Sequence, residues 1–434
     1  MMKQYDLQWT ARRDRRLIGT RGGKRHVLIN VHAPRVERNE SNRRPPLNLG
    51  LVIDASGSMS GEPLEAAIQA ACGVVEKLCK RDRLTVVSFA DDVVVHAERV
   101  RCNEEGRSQA IAAIRQLQTR GCTNLAGGWL EGCELVAAAI GRKAGVQHRV
   151  ILLSDGYANR GICDAAELGH HAGELRRRGL YTSCVGIGDH YSPTQLQAIA
   201  EHGGGRLHDA PVGKDIVAVV LGELGEILDT AADDLRVVVR HPRRVGVTVL
   251  GPYGTEVRDQ ELVVNLGTLV AGASRQVVLQ VGVPGGTVGE RFEVEVLPEW
   301  IGAEDGLRVN GKVLRGEFAL VPDSEMAAEV PDMETGVTVA RLWQKQVLLE
   351  STMLNTEGRC DEARRLVQEV LPEFRAYCRE LPGAGVLVRE MEEHGEEVSV
   401  VMESREARFC LIDASMALRS ERDFRASTRG ETQA

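Results

Sequence analysis

Between residues 47 and 230 the chain alternates short apolar runs with segments whose apolar residues recur at helical spacing. The runs at 47–53 and 150–153 are nearly continuous in aliphatic residues, as strands buried on both faces are. Because a predicted helix separates most successive runs, the strands must be mostly parallel and covered on both faces. The runs at 84–89 and 93–100 are joined by a short turn, which predicts one antiparallel strand. The pattern predicts an α/β fold with a doubly wound, mostly parallel sheet.

The pattern changes on both sides of this region. Residues 235–298 carry short Val-rich runs between Gly and Pro turns, which indicates a β-sandwich. Five such strands make a thin sandwich, so we expect the apolar run at 26–31 to complete it, with the α/β domain inserted between. The periodicity becomes helical again after 331. The predicted parts are an N-terminal segment at 1–45 that adds a sandwich strand, the α/β domain at 46–230, the sandwich at 231–330, a helical C-terminal region at 331–426 and a disordered tail at 427–434.

Composition narrows the function classes. The net charge of −8 argues against nonspecific nucleic-acid binding, and the Arg-dense stretch at 12–25 is interpreted as a solvated face or a loose arm. No run reaches the ~18–20 apolar residues of a membrane span, and the N-terminus lacks the apolar stretch of a signal peptide. The ten cysteines contain no C-x-x-C pair, so we expect reduced thiols and a cytoplasmic protein.

Short polar residues in three separate segments carry hard oxygen donors. They are Asp54, Ser56, Ser58, Thr123 and Asp155. Two carboxylates and three hydroxyls suit Mg²⁺ before Ca²⁺, with Mn²⁺ also possible, and they suit a soft metal poorly. Asp54 and Asp155 each follow an apolar strand, and open α/β sheets bind ligands beyond the carboxyl ends of their strands. The set does not close an octahedron, so water or a partner's carboxylate must complete it.

Each candidate also has an interpretation that involves no ligand. The Asp-x-Ser-x-Ser pattern alone fits a helix N-cap, and only its combination with Thr123 and Asp155 favours a metal. Asn124 either orients the loop at Thr123 or is a turn residue. Ser154 either supports the site beside Asp155 or is a surface-turn serine, and we expect the turn. Cys122 either makes the site redox-sensitive or is a buried, inert thiol, and we expect the inert thiol.

Two further clusters are interpreted without a ligand. The pair Asp91-Asp92 is expected to form a hairpin turn and not a second cation site. The pair His170-His171 is expected to be solvated, because no ligand lies four residues away on the predicted helix.

Residues 47–230 resemble a von Willebrand factor type A (VWA) domain. The hallmark of that family, the metal-ion-dependent adhesion site D-x-S-x-S…T…D, is matched by Asp54, Ser56, Ser58, Thr123 and Asp155. Further matching phrases lie at 81–89, 123–128 and 186–189. The resemblance implies that Ser56 and Ser58 coordinate the metal directly, that Thr123 and Asp155 bind directly or through water, and that a Glu or Asp of a partner takes the remaining position.

The resemblance implies a function in binding. We expect a metal-dependent adaptor, with an AAA-type ATPase or a multiprotein assembly as partner. The helical region could itself supply a carboxylate, from Glu350, Glu357 or Glu362. The alternative is a Mg²⁺-dependent hydrolase or phosphotransferase, but no catalytic residue is assigned: there is no phosphate-binding glycine motif, and nothing ties His148 or His208 to the metal.

Overall fold

The computed structural model describes residues 6–35, 44–141, 145–156, 160–188, 191–211, 213–303 and 306–419. The predicted tail at 427–434 lies outside these residues. The strands, in chain order, are β1 (Gln8–Arg13), β2 (Leu17–Gly19), β3 (Gly22–His32), β4 (Leu47–Asp54), β5 (Arg83–Phe89), β6 (Val93–Arg101), β7 (Gln147–Ser154), β8 (Leu180–Ile187), β9 (Gly204–Ala210), β10 (Thr230–Arg240), β11 (Gly246–Leu250), β12 (Gly254–Arg258), β13 (Glu261–Val270), β14 (Ser274–Pro284), β15 (Arg291–Gly302), β16 (Arg308–Asn310) and β17 (Leu314–Val321).

The helices complete the description. They are α1 (Glu62–Lys77), α2 (Glu104–Ile114), α3 (Leu125–Ala137), α4 (Ala165–Arg177), α5 (Pro193–His202), α6 (Gly213–Leu228), α7 (Asp323–Ala328), α8 (Met333–Thr356), α9 (Cys360–Cys378), α10 (Gly385–Glu397) and α11 (Ser404–Arg419). Among the described residues, no helix is long and apolar enough to cross a membrane.

The α/β domain is built on a sheet with the strand order β6-β5-β4-β7-β8-β9. Neighbouring strands are parallel except β5 and β6, which confirms the predicted antiparallel strand. Every residue of β4, β7 and β8 is buried, as expected for strands covered on both faces. Helices α1, α2 and α6 pack on one face, and α3, α4 and α5 on the other. The doubly wound fold is confirmed.

The sandwich consists of two sheets. One has the order β1-β3-β14-β11, and the other has the order β12-β13-β10-β15-β17-β2, with β16 paired to β15. Strand β3 lies between β1 and β14, so the α/β domain is inserted between β3 and β10 of one sandwich. The sequence did not predict β1, β2, β12, β16 or β17. β1, β2, β12 and β16 are short or carry charged residues, so they lack the apolar runs that identified the others. β17 ends in the apolar run 318–321, which lies beyond the Val-rich segment on which the prediction of the sandwich rested.

The helical region covers the outer face of the four-stranded sheet. Leu28 of β3 and Val278 of β14 pack against Val339, Leu342 and other apolar residues of α8 and α11. The N-terminal basic residues form ion pairs with this region at the surface, so they lie on a solvated face, as one of the two interpretations had it, and the interpretation of a loose arm is wrong. The pairs are Arg12 with Asp332 at 2.8 Å and Glu334 at 2.6 Å, Arg15 with Glu380, and Lys24 with Glu373 at 2.8 Å.

A buried charged seam joins the α/β domain to the sandwich. Arg149 of β7 forms an ion pair of 2.5 Å with Asp233 of β10, and both side chains are less than a tenth exposed. The Arg149 guanidinium also lies 4.3 Å from the ring centre of Tyr181. Arg176 and Arg308 both pair with Asp234, at 2.9 and 2.8 Å. These contacts fix the inserted domain against the strand that follows it in the chain.

Candidate metal site

The candidate ligands lie where three segments meet at the carboxyl edge of the six-stranded sheet. Strand β4 ends at Asp54, and the parallel strand β7 ends at Ser154, directly before Asp155. The two strands pair with Ile53 opposite Leu153, so Asp54 and Ser154 end level with one another. The register of the two strands therefore makes neighbours of residues that are about a hundred positions apart in the chain.

Asp54 is fully buried, and its hydrogen-bond donors in the described part of the chain are all neutral groups. Its Oδ1 accepts from the backbone N–H of Ser56 at 2.9 Å, and its Oδ2 accepts from the hydroxyl of Ser154 at 2.6 Å. Burial raises the pKa of Asp54 above its ordinary value, and the bonds from Ser154 and Ser56 partly oppose that rise. Within the described residues no positive side chain pairs with this carboxylate, so its negative charge lacks a counter-charge.

A chain of hydroxyl contacts links the first segment to the third. Ser58 donates a hydrogen bond of 2.8 Å to Oδ1 of Asp155. Because its one proton is engaged there, Ser58 accepts from Ser56, with 3.1 Å between the two Oγ atoms. Ser58 is exposed, whereas Ser56 and Asp155 are buried. The polar groups therefore extend from the sheet interior to the molecular surface.

Thr123 reaches the same place from the segment before α3. It is 5% exposed, and a Cβ added to Gly156 would lie 3.2 Å from its Oγ1. The Thr123 hydroxyl therefore lies beside the residue that follows Asp155. Asn124 is the N-cap of α3 and accepts from the N–H of Gly127 at 3.0 Å, so its side chain caps the helix that begins directly after this loop.

Backbone contacts hold these segments together. The N–H of Gly57 donates to the carbonyl of Gly121 at 3.1 Å, and the N–H of Arg120 donates to Ala55 at 2.6 Å. The carboxylates of the neighbouring Asp91-Asp92 pair are each bound to an arginine: Asp92 to Arg120 at 3.0 Å, and Asp91 to Arg160 at 2.9 Å. Ala90 N–H also donates to the carbonyl of Asp92, which confirms the predicted turn.

Two sequence interpretations are wrong at this site. Ser154 is not a surface-turn residue, because it is the fully buried last residue of β7 and donates to Asp54. Its position level with Asp54 could have been inferred from strand pairing, but not from local sequence. Cys122 is exposed and not a buried thiol, because its loop turns outward before Thr123.

The residues present fit a hard divalent cation. Among the described residues, no group of three or more His, Cys, Asp and Glu side chains could hold a metal ion. The candidate set instead combines two carboxylates with hydroxyls, the donors that Mg²⁺ prefers. A cation there would also supply the counter-charge that buried Asp54 lacks.

The candidate bases for catalysis lie elsewhere. His148 is the second residue of β7, seven residues before Asp155, which places it roughly 20 Å away at the opposite edge of the sheet. Its Nδ1 lies 3.1 Å from Asn48 Nδ2. His208 is bound to Glu223 of α6 at 2.7 Å.

The three carboxylates of the helical region that could supply a metal ligand have partners of their own. Glu350 accepts a hydrogen bond from Gln346, and Glu357 and Glu362 both pair with Arg359, so these three carboxylates are engaged within their own helices and turn.

The helical region contains a Ser–His–carboxylate arrangement that is unsuited to catalysis. His394 Nε2 lies 2.9 Å from Ser351 Oγ, and its Nδ1 lies 3.6 Å from Glu397. The Ser351 proton is already donated to the carbonyl of Val347 at 2.7 Å, so His394 must be the donor to Ser351. Both side chains are buried, and burial lowers the pKa of His394 to about 4. The contact instead joins two packed helices, α8 with Ser351 and α10 with His394.

The part of the chain that matches a known family is the α/β domain that carries the candidate ligands. Residues 48–214 match the family model of the von Willebrand factor type A domain. The protein sll0103 of Synechocystis sp. is 36% identical over 193 residues, which cover 44% of this chain and 43% of that protein. Inter-alpha-trypsin inhibitor heavy chain H3 of Homo sapiens is 33% identical over 125 residues, or 27% of this chain and 14% of that protein. The chain thus spans less than half the length of these relatives.

Solved structures match over nearly the whole chain. The von Willebrand factor type A protein from Catenulispora acidiphila has a TM-score of 0.70 at 15% identity, over 95% of this chain and 97% of that one. The ArnB paralog VWA2 from Sulfolobus acidocaldarius has a TM-score of 0.60 at 14% identity, over 95% and 98%. At these identities the likeness concerns the fold alone.

Proposed function

We propose, from the premise that this chain is a von Willebrand factor type A domain protein, that it is a metal-dependent adaptor. Domains of this family commonly mediate metal-dependent protein–protein interactions. In the proposal, a Mg²⁺ ion held at the carboxyl edge of the sheet binds an Asp or Glu side chain of a partner protein. The metal-ion-dependent adhesion site consists of Asp54, Ser56, Ser58, Thr123 and Asp155.

The environment of Asp54 is the observation that carries the proposal. A buried carboxylate with neutral partners alone is costly, and a divalent cation removes that cost. Ser58 lies nearer the surface than Asp54 and is exposed, so a cation bound between Asp54 and Ser58 would face solvent. A Mg²⁺ ion in proteins retains water ligands, and an incoming carboxylate can replace one of them.

The chain's own residues prepare the site in defined ways. Ser154 and the Ser56 N–H fix both oxygens of Asp54, so the carboxylate cannot turn away from the edge. The Gly57–Gly121 backbone bond fixes the loop that carries Ser58 against the loop before Thr123. Bound Mg²⁺ would supply a positive charge with an open coordination position, and Mn²⁺ or Ca²⁺ could take its place.

Binding is favoured over catalysis by what surrounds the edge. The two histidines near strand ends are engaged away from it, His148 with Asn48 and His208 with Glu223. A hydrolase or phosphotransferase would need a base within hydrogen-bond reach of its nucleophile. The proposal therefore assigns no catalytic residue.

The partner class and the location are part of the proposal. All ten cysteines are unpaired, and all lie within the described residues, which suits a reducing compartment such as the cytoplasm. A partner that presents an acidic side chain, such as an AAA-type ATPase or a subunit of a multiprotein assembly, suits the chemistry of the site.

The test is a pull-down from a native lysate of the source cells. The full chain is used as bait with Mg²⁺, with Mn²⁺, with EDTA, and as the Asp54→Ala variant with Mg²⁺. The matched control is Asp413→Ala, because Asp413-Ala414-Ser415 repeats the local sequence of Asp54-Ala55-Ser56 on a helix, where Asp413 pairs with Lys345. We expect a partner that is retained by wild type and the control and lost with EDTA and with Asp54→Ala. Partners that stay bound after chelation would disprove the metal-dependent function.

A further inference from the structure

Strand β12 is an uncovered edge of the seven-stranded sheet. It runs from Gly254 to Arg258, and all of its residues are exposed. Within the described part of the chain it pairs with β13 alone. Val257, the fourth of its five residues, is 77% exposed. An exposed strand edge with an apolar residue is a site where another strand can add.

The register identifies which backbone groups lie on the free edge. The carbonyl of Gln260 accepts from the N–H of His241, so the backbone groups of that residue point towards β10. The groups of Glu261 therefore point the other way, towards its partner Arg258 on β12. Since the direction alternates along a strand, Thr255 and Val257 carry the N–H and C=O groups that face outward.

The charges on this strand are arranged symmetrically about Val257. Glu256 and Arg258 flank it and form an ion pair on one face of the strand. Charged residues on an edge usually discourage pairing with other strands. The order Glu-Val-Arg is an exception for one partner, because it is complementary to itself when a second copy runs antiparallel.

We propose that β12 pairs with β12 of a second copy of this chain about a twofold axis at Val257. In that register Val257 lies opposite Val257 of the second copy, and the outward N–H and C=O groups of these two residues bond to one another. Glu256 then lies opposite Arg258 of the second copy, and Arg258 lies opposite Glu256 of the second copy. Both charge pairs occupy non-hydrogen-bonded positions, where opposing Cα atoms are closest, about 4.5 Å apart.

The proposed contact is independent of the metal site. It extends the sheet of the sandwich into the second copy, whereas the candidate ligands belong to the six-stranded sheet of the inserted domain. A homodimer of this kind would carry two adhesion sites, and it forms whether or not a metal is bound.

The test is sedimentation velocity of the full chain over a concentration series, with two charge reversals. Glu256→Arg sets arginine against arginine at both positions, and Arg258→Glu sets glutamate against glutamate. We expect wild type to dimerise reversibly and each variant alone to bind itself at least about tenfold more weakly, because like charges directly opposite each other are destabilising. A mixture of the two variants restores both opposite-charge pairs and should form the heterodimer.

Two controls separate this contact from others. Val257→Pro removes the outward N–H without altering charge and should abolish the dimer, whereas Val257→Thr keeps the N–H and should retain it. EDTA should leave the dimer intact, so failure here is distinguishable from failure of the metal-dependent function. A wild-type chain that is monomeric throughout the series, or a mixture of the two reversals that stays monomeric, overturns the proposal.

Discussion

The hydroxyl of Ser154 donates a hydrogen bond of 2.6 Å to Oδ2 of Asp54 and so joins the carboxyl ends of β7 and β4. Both residues are fully buried, and the contact crosses between the two strands that carry the acidic candidate ligands. Ser154 thus connects the position of Asp54 to that of Asp155, its neighbour in the chain.

Removal of this hydroxyl should weaken metal binding. We expect Ser154→Ala to lower the affinity for Mg²⁺ or Mn²⁺ by about 10- to 100-fold, because Asp54 loses the donor that orients it. Isothermal titration calorimetry with Mn²⁺ measures the change. Ser399→Ala, which removes an exposed hydroxyl that bonds to Glu396, should bind as wild type. Equal affinities in the wild type and Ser154→Ala would show that the contact does not support a metal site.

Substitution of Asp54 by an isosteric neutral residue should separate folding from metal binding. For wild type, Mg²⁺ at about 100 times its dissociation constant should add about 3 kcal/mol to the free energy of unfolding. Asp54→Asn should show no such gain. Without metal it should be at least as stable as wild type, since it no longer buries an uncompensated charge. Thermal unfolding with and without Mg²⁺ tests both statements, and a Mg²⁺-dependent gain in Asp54→Asn would contradict them.

Buried histidines should make the fold less stable in mild acid. Burial lowers the pKa of His148 to about 4, and its Nδ1 must be unprotonated to accept from Asn48. The unfolded chain binds a proton near its ordinary pKa of about 6.5, whereas the folded chain does not until about 4, so stability falls as the pH drops through this window. From His148 alone we expect a loss of about 2 kcal/mol between about pH 7 and pH 5.

Urea unfolding at the two pH values measures this loss. His148→Gln keeps an acceptor but cannot titrate, so its loss should be smaller than that of wild type by about 2 kcal/mol. The remaining slope should include the contribution of His394, whose pKa burial also lowers to about 4. Identical pH dependence in wild type and His148→Gln would refute the assignment.

The stability of the protein should depend on Asp233, the acidic partner of Arg149 in the buried seam. Asp233→Ala leaves Arg149 buried without its carboxylate, which should cost about 3–5 kcal/mol of unfolding free energy. Among the residues that the structure describes, the Nη1 atom of Arg149 already has no hydrogen-bond partner, so little remains to compensate. In contrast, Glu392→Ala breaks the exposed pair with Arg375 and should cost less than about 1 kcal/mol. Urea unfolding compares the two, and similar costs would argue against the seam as a stabilising contact.

Much of the fold was predictable because apolar periodicity is a local property. The nearly continuous apolar runs identified β4 and β7, and the antiparallel β6 followed from its short connection to β5. Strands such as β1 and β12 escaped prediction, because an edge or half-buried strand needs no apolar run. The ion pairs that keep the N-terminal arginines from being a loose arm were not predictable for a related reason: their acidic partners lie more than 300 residues away in the chain.

The sequence by itself determined the chemistry of the candidate ligands: hard oxygens from Asp54, Ser56, Ser58, Thr123 and Asp155, in three segments after or between predicted elements. Only the tertiary structure decided that Asp54 is fully buried with neutral donors, that Ser154 is one of them, and that Ser58 is exposed. Residue type is written in the chain, but burial and hydrogen-bond partners depend on strand register across about a hundred residues. That register is set by the packing of the whole sheet, which no local pattern contains.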